Sequence, residues 1–189
     1  MGWLDKVPRT EGGGLFIGGY AALHSQQPLF QQAKITHVIS VLDYDIFEGD
    51  YLKAYERIHV RLDDDPNENI LHHLHKTTEF IDAALSKGGA VFVHCAMGKS
   101  RSATVVIAYL MWKYGSSPEE ALKQLREGRG VCEPNPGFME QLHVYHRMLQ
   151  AQDAESAKQI YDTWVNEVDP LRDWYSFRSY RAQSAATKL

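Results

Sequence analysis

Cys95 and Arg101 stand with five residues between them in a small polar loop within VFVHCAMGKSRSATVVIAYLM (91–111), between two apolar runs. A cysteine that served only as a small hydrophobe would need no such setting. The turn from a strand's carboxyl end into the following helix is where α/β folds bind ligands. There Ala96, Met97, Gly98, Lys99 and Ser100 can curl so that successive N–H groups face inward, while the helix adds its positive end. A tetrahedral dianion fits such a cradle. The same field favours the thiolate, the nucleophilic form of cysteine. Gly98 opens backbone conformations closed to other residues, and the planar fork of Arg101 holds two phosphate oxygens at once. The pattern points to phosphate chemistry beside an activated thiol.

A strand before the loop and a helix after it are the least this chemistry needs, and the chain provides more. Short β-branched or alternating runs recur at GLFIGG (14–19), THVISVL (36–42), RIHVRL (57–62) and AVFVHC (90–95), and these are the expected strands. In NILHHLHKTTEFIDAALSKGG (69–89), Ile70, Leu74, Ile81 and Leu85 share a helical face, and Gly88-Gly89 stop the helix. SATVVIAYLMWKYG (102–115) is apolar almost all round, as a helix in the middle of a domain would be, and Gly115 ends it. Ser117, Pro118 and Glu120 spell a capping box for a helix to about Glu127. Asn135 before Pro136 is a plausible N-cap for a last helix with Phe138, Leu142, Tyr145 and Leu149 on one face. Strands alternating with helices predict an α/β fold with a mainly parallel central sheet of about four to five strands and helices on both faces. A domain over 1–150 is expected, followed by a helical or linker appendix over 151–189.

Composition sets the outer bounds. The 189 residues are 44% hydrophobic and 23% charged, ordinary globular usage that allows one sizeable core. A net charge of −4 provides no general attraction to nucleic acid or anionic membrane, so anion binding must be local. Nowhere do eighteen apolar residues run together, and Lys6 stands where a myristoylation pattern would want Ser or Thr. Two cysteines, Cys95 and Cys132, are too few for a disulfide framework or a four-cysteine zinc site. A cytoplasmic or nuclear protein is expected, without a membrane partner and without nucleic acid.

HCAMGKSRS fits His-Cys-x5-Arg-Ser/Thr and so resembles the signature of the cysteine-based protein phosphatases; its surroundings look like their dual-specificity branch, in its atypical division. GGLFIGGYAAL, ITHVISVLD, FIDAAL and NPGFMEQL resemble that branch's opening strand, its next strand, its helix before the loop and its closing helix, so the matches run over 13–150. The resemblance implies a phosphatase for phosphotyrosine and phosphoserine or phosphothreonine in proteins, with a shallow cleft and no metal or organic cofactor. It also implies the roles. The Cys95 thiolate attacks phosphorus to give a phosphocysteine, Arg101 and the amides of 96–100 hold the phosphoryl oxygens, Ser102 assists the departing thiolate, and His94 braces the loop. The MGKSRSAT loop looks like fungal members of the branch whose longer members carry a C-terminal zinc-binding region, which implies a longer parent protein.

Displacing an alkoxide or phenoxide needs a proton on the leaving oxygen. The candidates are Asp63, Asp64 and Asp65 in RLDDDPNEN (61–69), of which at most one can serve, because successive side chains in a loop point different ways. The family's register selects Asp64. Asn135 is open to two readings, the family's loop buttress and a plain helix cap. Lys99 raises the alternative of a non-protein phosphate, such as a phosphoinositide, an RNA 5′ phosphate or a phosphoglycan, although an outward-facing charge is the simpler reading. A phosphate-binding scaffold is the third. Cys132 reads as an ordinary buried thiol, and His72, His73 and His75 as a solvated helix face, so no metal site is expected. Trp164, Trp174, Tyr175, Phe177 and Tyr180, interleaved with Arg172, Arg178 and Arg181, make 161–181 a candidate docking segment for a protein partner, with packing against the domain as the plainer alternative.

Overall fold

The structure, a computed structural model, describes residues 2–25, 27–44 and 50–167. Its centre is a five-stranded sheet built from β1 (Asp5–Lys6), β2 (Gly14–Gly19), β3 (Ile35–Val41), β4 (Glu56–Val60) and β5 (Ala90–Cys95), in the spatial order β1-β2-β5-β3-β4. β2, β5, β3 and β4 run parallel, and only β1 is antiparallel, pairing with β2. All six residues of β5 are buried, as befits the central strand of a parallel sheet covered on both sides. The expected fold class is the observed one.

The two faces carry unequal cores. On one face Leu15, Ile17, Ile39, Val41, Val91 and Val93 pack under α3 (Leu71–Ser86), α4 (Arg101–Tyr114), α5 (Pro118–Gly128) and α6 (Pro136–Leu149). On the other, Val38, Ala90 and Phe92 meet Ala22, Leu23 and Phe30 from the short helices α1 (Tyr20–Ser25) and α2 (Gln27–Gln32), together with Leu52 from a 3-10 turn at Asp50–Ala54. Period-2 alternation assigns neighbours along each strand to opposite faces. β3 departs from it near its start, where a register shift between Ile35 and His37 lets Ile35 and Val38 share the smaller core.

Local chemistry sets the helix ends. Gly115 closes α4 at φ 68°, and Ser117 with Glu120 forms the reciprocal capping box at the head of α5. α4 is buried from Arg101 to Met111, so its first turn cannot move without moving the core. β4 stops at Val60, two residues before the end of the apolar run in the sequence. Past that point the Leu62 carbonyl turns to accept from Nη1 of Arg101 at 3.0 Å. The sequence pattern did not reveal β1, α1 or α2, which are too short to carry a period.

Past residue 150 the chain forms α7 (Ala154–Glu167), which packs on α6 and buries Trp164 in the larger core. Tyr161 fastens it by accepting from Asn69 Nδ2 at 3.2 Å. The candidate docking residues Arg172, Trp174, Tyr175, Phe177, Arg178, Tyr180 and Arg181 lie outside the described residues. Among the described residues no helix is long and apolar enough to cross a membrane, and no group of three His, Cys, Asp or Glu is placed to hold a metal ion.

His73, on α3, supplies a test of this packing. Burial lowers it to about 4, and the neighbouring His72 and Lys76 add to the effect. Its folded value lies below the unfolded value of about 6.5, so as pH falls the unfolded chain takes up the proton first. The stability at stake is present above pH 6.5 and is lost as pH falls toward 4, at most about 3 kcal/mol. A His73→Gln variant is expected to lose less of its urea midpoint between pH 7 and pH 4 than the unsubstituted protein does. Equal losses in the two would show that His73 carries none of the acid sensitivity.

Candidate active site

The loop from Cys95 to Arg101 leaves the carboxyl end of β5 and enters α4, at the point in the sheet where β5 lies between β2 and β3. Its four middle carbonyls are each held from outside the loop. The Ala96 carbonyl accepts from Tyr20 N at 3.1 Å, Met97 from Arg129 Nη2 at 3.1 Å, Gly98 from Arg129 Nε at 2.8 Å, and Lys99 from Glu133 N at 2.8 Å. In a planar trans peptide the N–H points opposite to the C=O. Carbonyls drawn outward therefore turn the N–H groups of residues 97–100 toward the inside of the loop. One of these contacts is seen directly, since Gly98 N donates to Cys95 Sγ at 3.2 Å. Gly98 sits at φ +67°, and a Cβ there would meet the Gly18 backbone at 2.3 Å, so only glycine fits.

Cys95 is buried, with Sγ also 3.3 Å from Ser102 Oγ. Arg101 is buried too. Its Nη1 is anchored on Leu62 O, while its Nε, fully shielded, has no hydrogen-bond partner among the described residues. An unpartnered guanidinium N–H beside a ring of inward amides suits an oxyanion. Ser100 is the N-cap residue of α4, but its side chain makes no cap hydrogen bond, which leaves the first-turn amides without a side-chain acceptor.

The Ser100 hydroxyl is used elsewhere, donating to Asp64 Oδ1 at 2.6 Å. Asn135 Nδ2 donates to the same oxygen at 2.9 Å, and Asp64 Oδ2 lies 3.9 Å from Arg101 Nε. The other two aspartates are occupied differently. Asp63 Oδ1 accepts from the Asp64 amide at 2.7 Å, and Asp65 Oδ1 caps Asn67 through its amide and its side chain.

Residues 15–148 match the family described as dual specificity phosphatase, catalytic domain. The chain belongs to the dual-specificity phosphatase family. It is similar to the tyrosine-protein phosphatase YVH1 of Saccharomyces cerevisiae, 34% identical in an alignment of 155 residues that covers 72% of this chain and 42% of the yeast protein. It is also similar to dual specificity protein phosphatase 1 of Arabidopsis thaliana, 34% identical over 79% of this chain and 74% of that one. In structure it resembles the human tyrosine phosphatase-like serine/threonine/tyrosine-interacting protein, with a TM-score of 0.72 and 33% identity over 78% of this chain and 98% of the other. The chain spans less than half the length of the yeast relative.

In this phosphatase-family site the fold brings Cys95, Arg101, Ser102, the loop 96–100, Asp64 and Asn135 together. His94, the residue before Cys95 on β5, has its ring Nε2 2.7 Å from Ser40 Oγ and its plane stacked on Phe92. Asn135 makes contacts both within its own helix and to the loop. Its Oδ1 caps α6 by accepting from Phe138 N at 2.9 Å, and its backbone amide donates to Ser100 Oγ at 3.1 Å. The Lys99 side chain is about half exposed and pairs with Glu133 at 2.8 Å. Met97 stands 70% exposed on the rim. Cys132 is a free thiol that burial pushes up to about 12, so it stays protonated.

Two neighbours escaped the sequence reading. Asp43, just past β3, places Oδ1 3.7 Å from Arg101 Nη1, and Asp63 Oδ1 lies 3.9 Å from the same atom. This acidic side of the site is crowded enough that burial, and then Asp65, Asp63 and Asp43, raise Glu68 above the usual carboxylate range. The second is Arg129, thirty-odd residues beyond the loop it holds. No local motif marks either one.

Proposed function

We propose that this domain hydrolyses phosphotyrosine and phosphoserine or phosphothreonine in proteins through a phosphocysteine intermediate. The observation that carries the reading is the placement of Asp64, held by Ser100 and Asn135 beside Arg101 and the Cys95 cradle. In the first step the Cys95 thiolate attacks phosphorus in line, the P–O bond breaks, its electron pair stays on the leaving oxygen, and Asp64 supplies the proton. In the second, water attacks phosphorus while the Asp64 carboxylate takes a proton from it. The S–P bond breaks with its pair returning to Cys95, and the Ser102 hydroxyl steadies the returning thiolate. Arg101 and the loop amides bind the equatorial oxygens in both steps.

A protein substrate is preferred over a polyanionic one on electrostatic grounds. Asp43, Asp63 and Asp64 surround Arg101, and the one lysine of the loop is already paired with Glu133. A phosphoinositide or phosphoglycan with further phosphates would meet like charge at this mouth. The scaffold reading is disfavoured because Cys95, Arg101, Ser102 and Asp64 are all present and adjacent. Free thiols at Cys95 and Cys132 support a cytoplasmic or nuclear setting. Trp164 is buried in the larger core, which favours packing against the domain at that residue, and the docking reading within 161–181 is kept for the residues beyond it.

The deciding experiment measures phosphate release, in the presence of a chelator, from a peptide carrying both phosphothreonine and phosphotyrosine. Both phosphates are expected to be released. Asp64→Asn should lower kcat about 10²-fold, whereas Asp63→Asn and Asp65→Asn should stay near the unsubstituted rate. Loss in either flanking variant with Asp64→Asn unaffected would reassign the acid. No release from the peptide would sink the protein-phosphatase reading in favour of a non-protein phosphate or a scaffold.

A further inference from the structure

Of the four bonds that hold the loop carbonyls from outside, two could have come from almost any sequence, since Tyr20 and Glu133 act through their backbone amides. Arg129 alone acts through a side chain, and it holds two consecutive carbonyls, those of Met97 and Gly98. Its guanidinium is almost fully buried at the end of α5, and its remaining donor capacity goes to the N-terminal segment. Nη1 bonds the Gly2 carbonyl at 3.0 Å and the Asp5 carboxylate. All three guanidinium nitrogens are thus used, with a carboxylate to balance the charge. A planar fork is the side chain suited to such a task, because one rigid group fixes the relative orientation of several acceptors.

We propose that Arg129 is a positioning residue of the phosphate cradle. By drawing the Met97 and Gly98 carbonyls outward it turns the Gly98 N–H onto Cys95 Sγ and the Lys99 N–H toward the bound phosphoryl oxygens. Neither donor would hold that direction unaided. Gly98 lies in a conformation with little intrinsic preference for one peptide orientation over its flip, and an outward-facing N–H would be free to bond water instead. Arg129 never touches substrate, and its effect on the reaction passes wholly through two peptide planes. The inference also gives β1 a role, because Asp5 is the counter-charge that makes a buried guanidinium tolerable at that place.

This inference rests on the phosphatase reading but has a test that does not need turnover. Cys95 is alkylated with iodoacetate, an anion that must enter the cradle, and with neutral iodoacetamide, and the ratio of the two rates is compared between proteins. Two variants are used. Arg129→Lys keeps the buried charge beside Asp5 but has one ammonium for acceptors that now share three nitrogens. The double variant Arg129→Met with Asp5→Asn removes the pair together and leaves no uncompensated charge. Both are expected to fold, by unchanged circular dichroism, while the iodoacetate-to-iodoacetamide ratio falls about tenfold and the inhibition constant of inorganic phosphate, read as its protection of Cys95 from alkylation, rises about tenfold. A folded variant of either kind that keeps the original ratio and inhibition constant overturns the proposal. Failure of both variants to fold makes Arg129 a structural residue and overturns it as well. An unsubstituted protein with a high ratio but no phosphatase turnover would sink the function proposed above and leave the cradle and its clamp standing.

Discussion

Replacing Cys95 with serine is expected to abolish phosphate release, by at least about 10⁴-fold, while the protein stays folded and still binds a phosphopeptide. The sulfur is buried and sits between the Gly98 amide and the Ser102 hydroxyl, two groups that stabilise negative charge on it. A serine hydroxyl in the same place must lose a proton before it can attack, and the imidazole of the preceding residue, His94, has its Nε2 2.7 Å from Ser40 Oγ. Activation here therefore comes from stabilising the anion, which a thiol exploits and an alcohol cannot. The cradle itself is built from backbone amides and Arg101, none of which the substitution removes. Calorimetric titration of Cys95→Ser with the doubly phosphorylated peptide should accordingly show binding of the order of the unsubstituted protein's KM, with no release of phosphate. Residual turnover above a hundredth of the original rate would place the nucleophile elsewhere.

How much of this site could be read from the sequence follows from how its parts are connected. Cys95, Gly98, Arg101 and Ser102 lie on one short loop and the helix it enters, so spacing alone sets their relation, and the apolar runs on either side told which elements flank them. Asp64 was reached only through the family's register, because three adjacent aspartates have equal local chemistry. What distinguishes them is contact across the fold: Ser100 and Asn135, 36 and 71 residues away, converge on one oxygen of Asp64. Arg129 and Asp43 were invisible for the same reason. Arg129 is one arginine in an ordinary helix end, and its meaning depends on carbonyls 31 and 32 residues earlier and on Asp5, 124 residues away. Elements behave in parallel fashion. The helices α3 and α6 were legible by their period and α4 by its unbroken apolar run, whereas β1 exists only because β2 offers it an edge to pair with.

Arg101→Lys is expected to lower kcat about 10³-fold with the fold retained, although the substitution keeps the charge. Arg101 has two tasks that draw on different nitrogens. Nη1 holds the Leu62 carbonyl just beyond β4, and Nε, buried and without a partner among the described residues, is left for the substrate. A single ammonium cannot do both. Asp43, Asp63 and Asp64 all lie within 3.9 Å of the guanidinium, so a flexible lysine has competing acceptors on the near side of the site and little reason to reach the phosphoryl group. The planar arginine resists that competition because the Leu62 bond fixes its plane and with it the direction of Nε. The loss should fall on kcat more than on KM, since charge builds on the equatorial oxygens as the transition state forms and a donor fixed in direction meets it where a mobile ammonium does not. Steady-state kinetics on the phosphopeptide separate the two parameters. A lysine variant with kcat within tenfold of the original would mean that Arg101 contributes charge alone, and the Leu62 anchor would then be structural rather than a device for aiming the guanidinium.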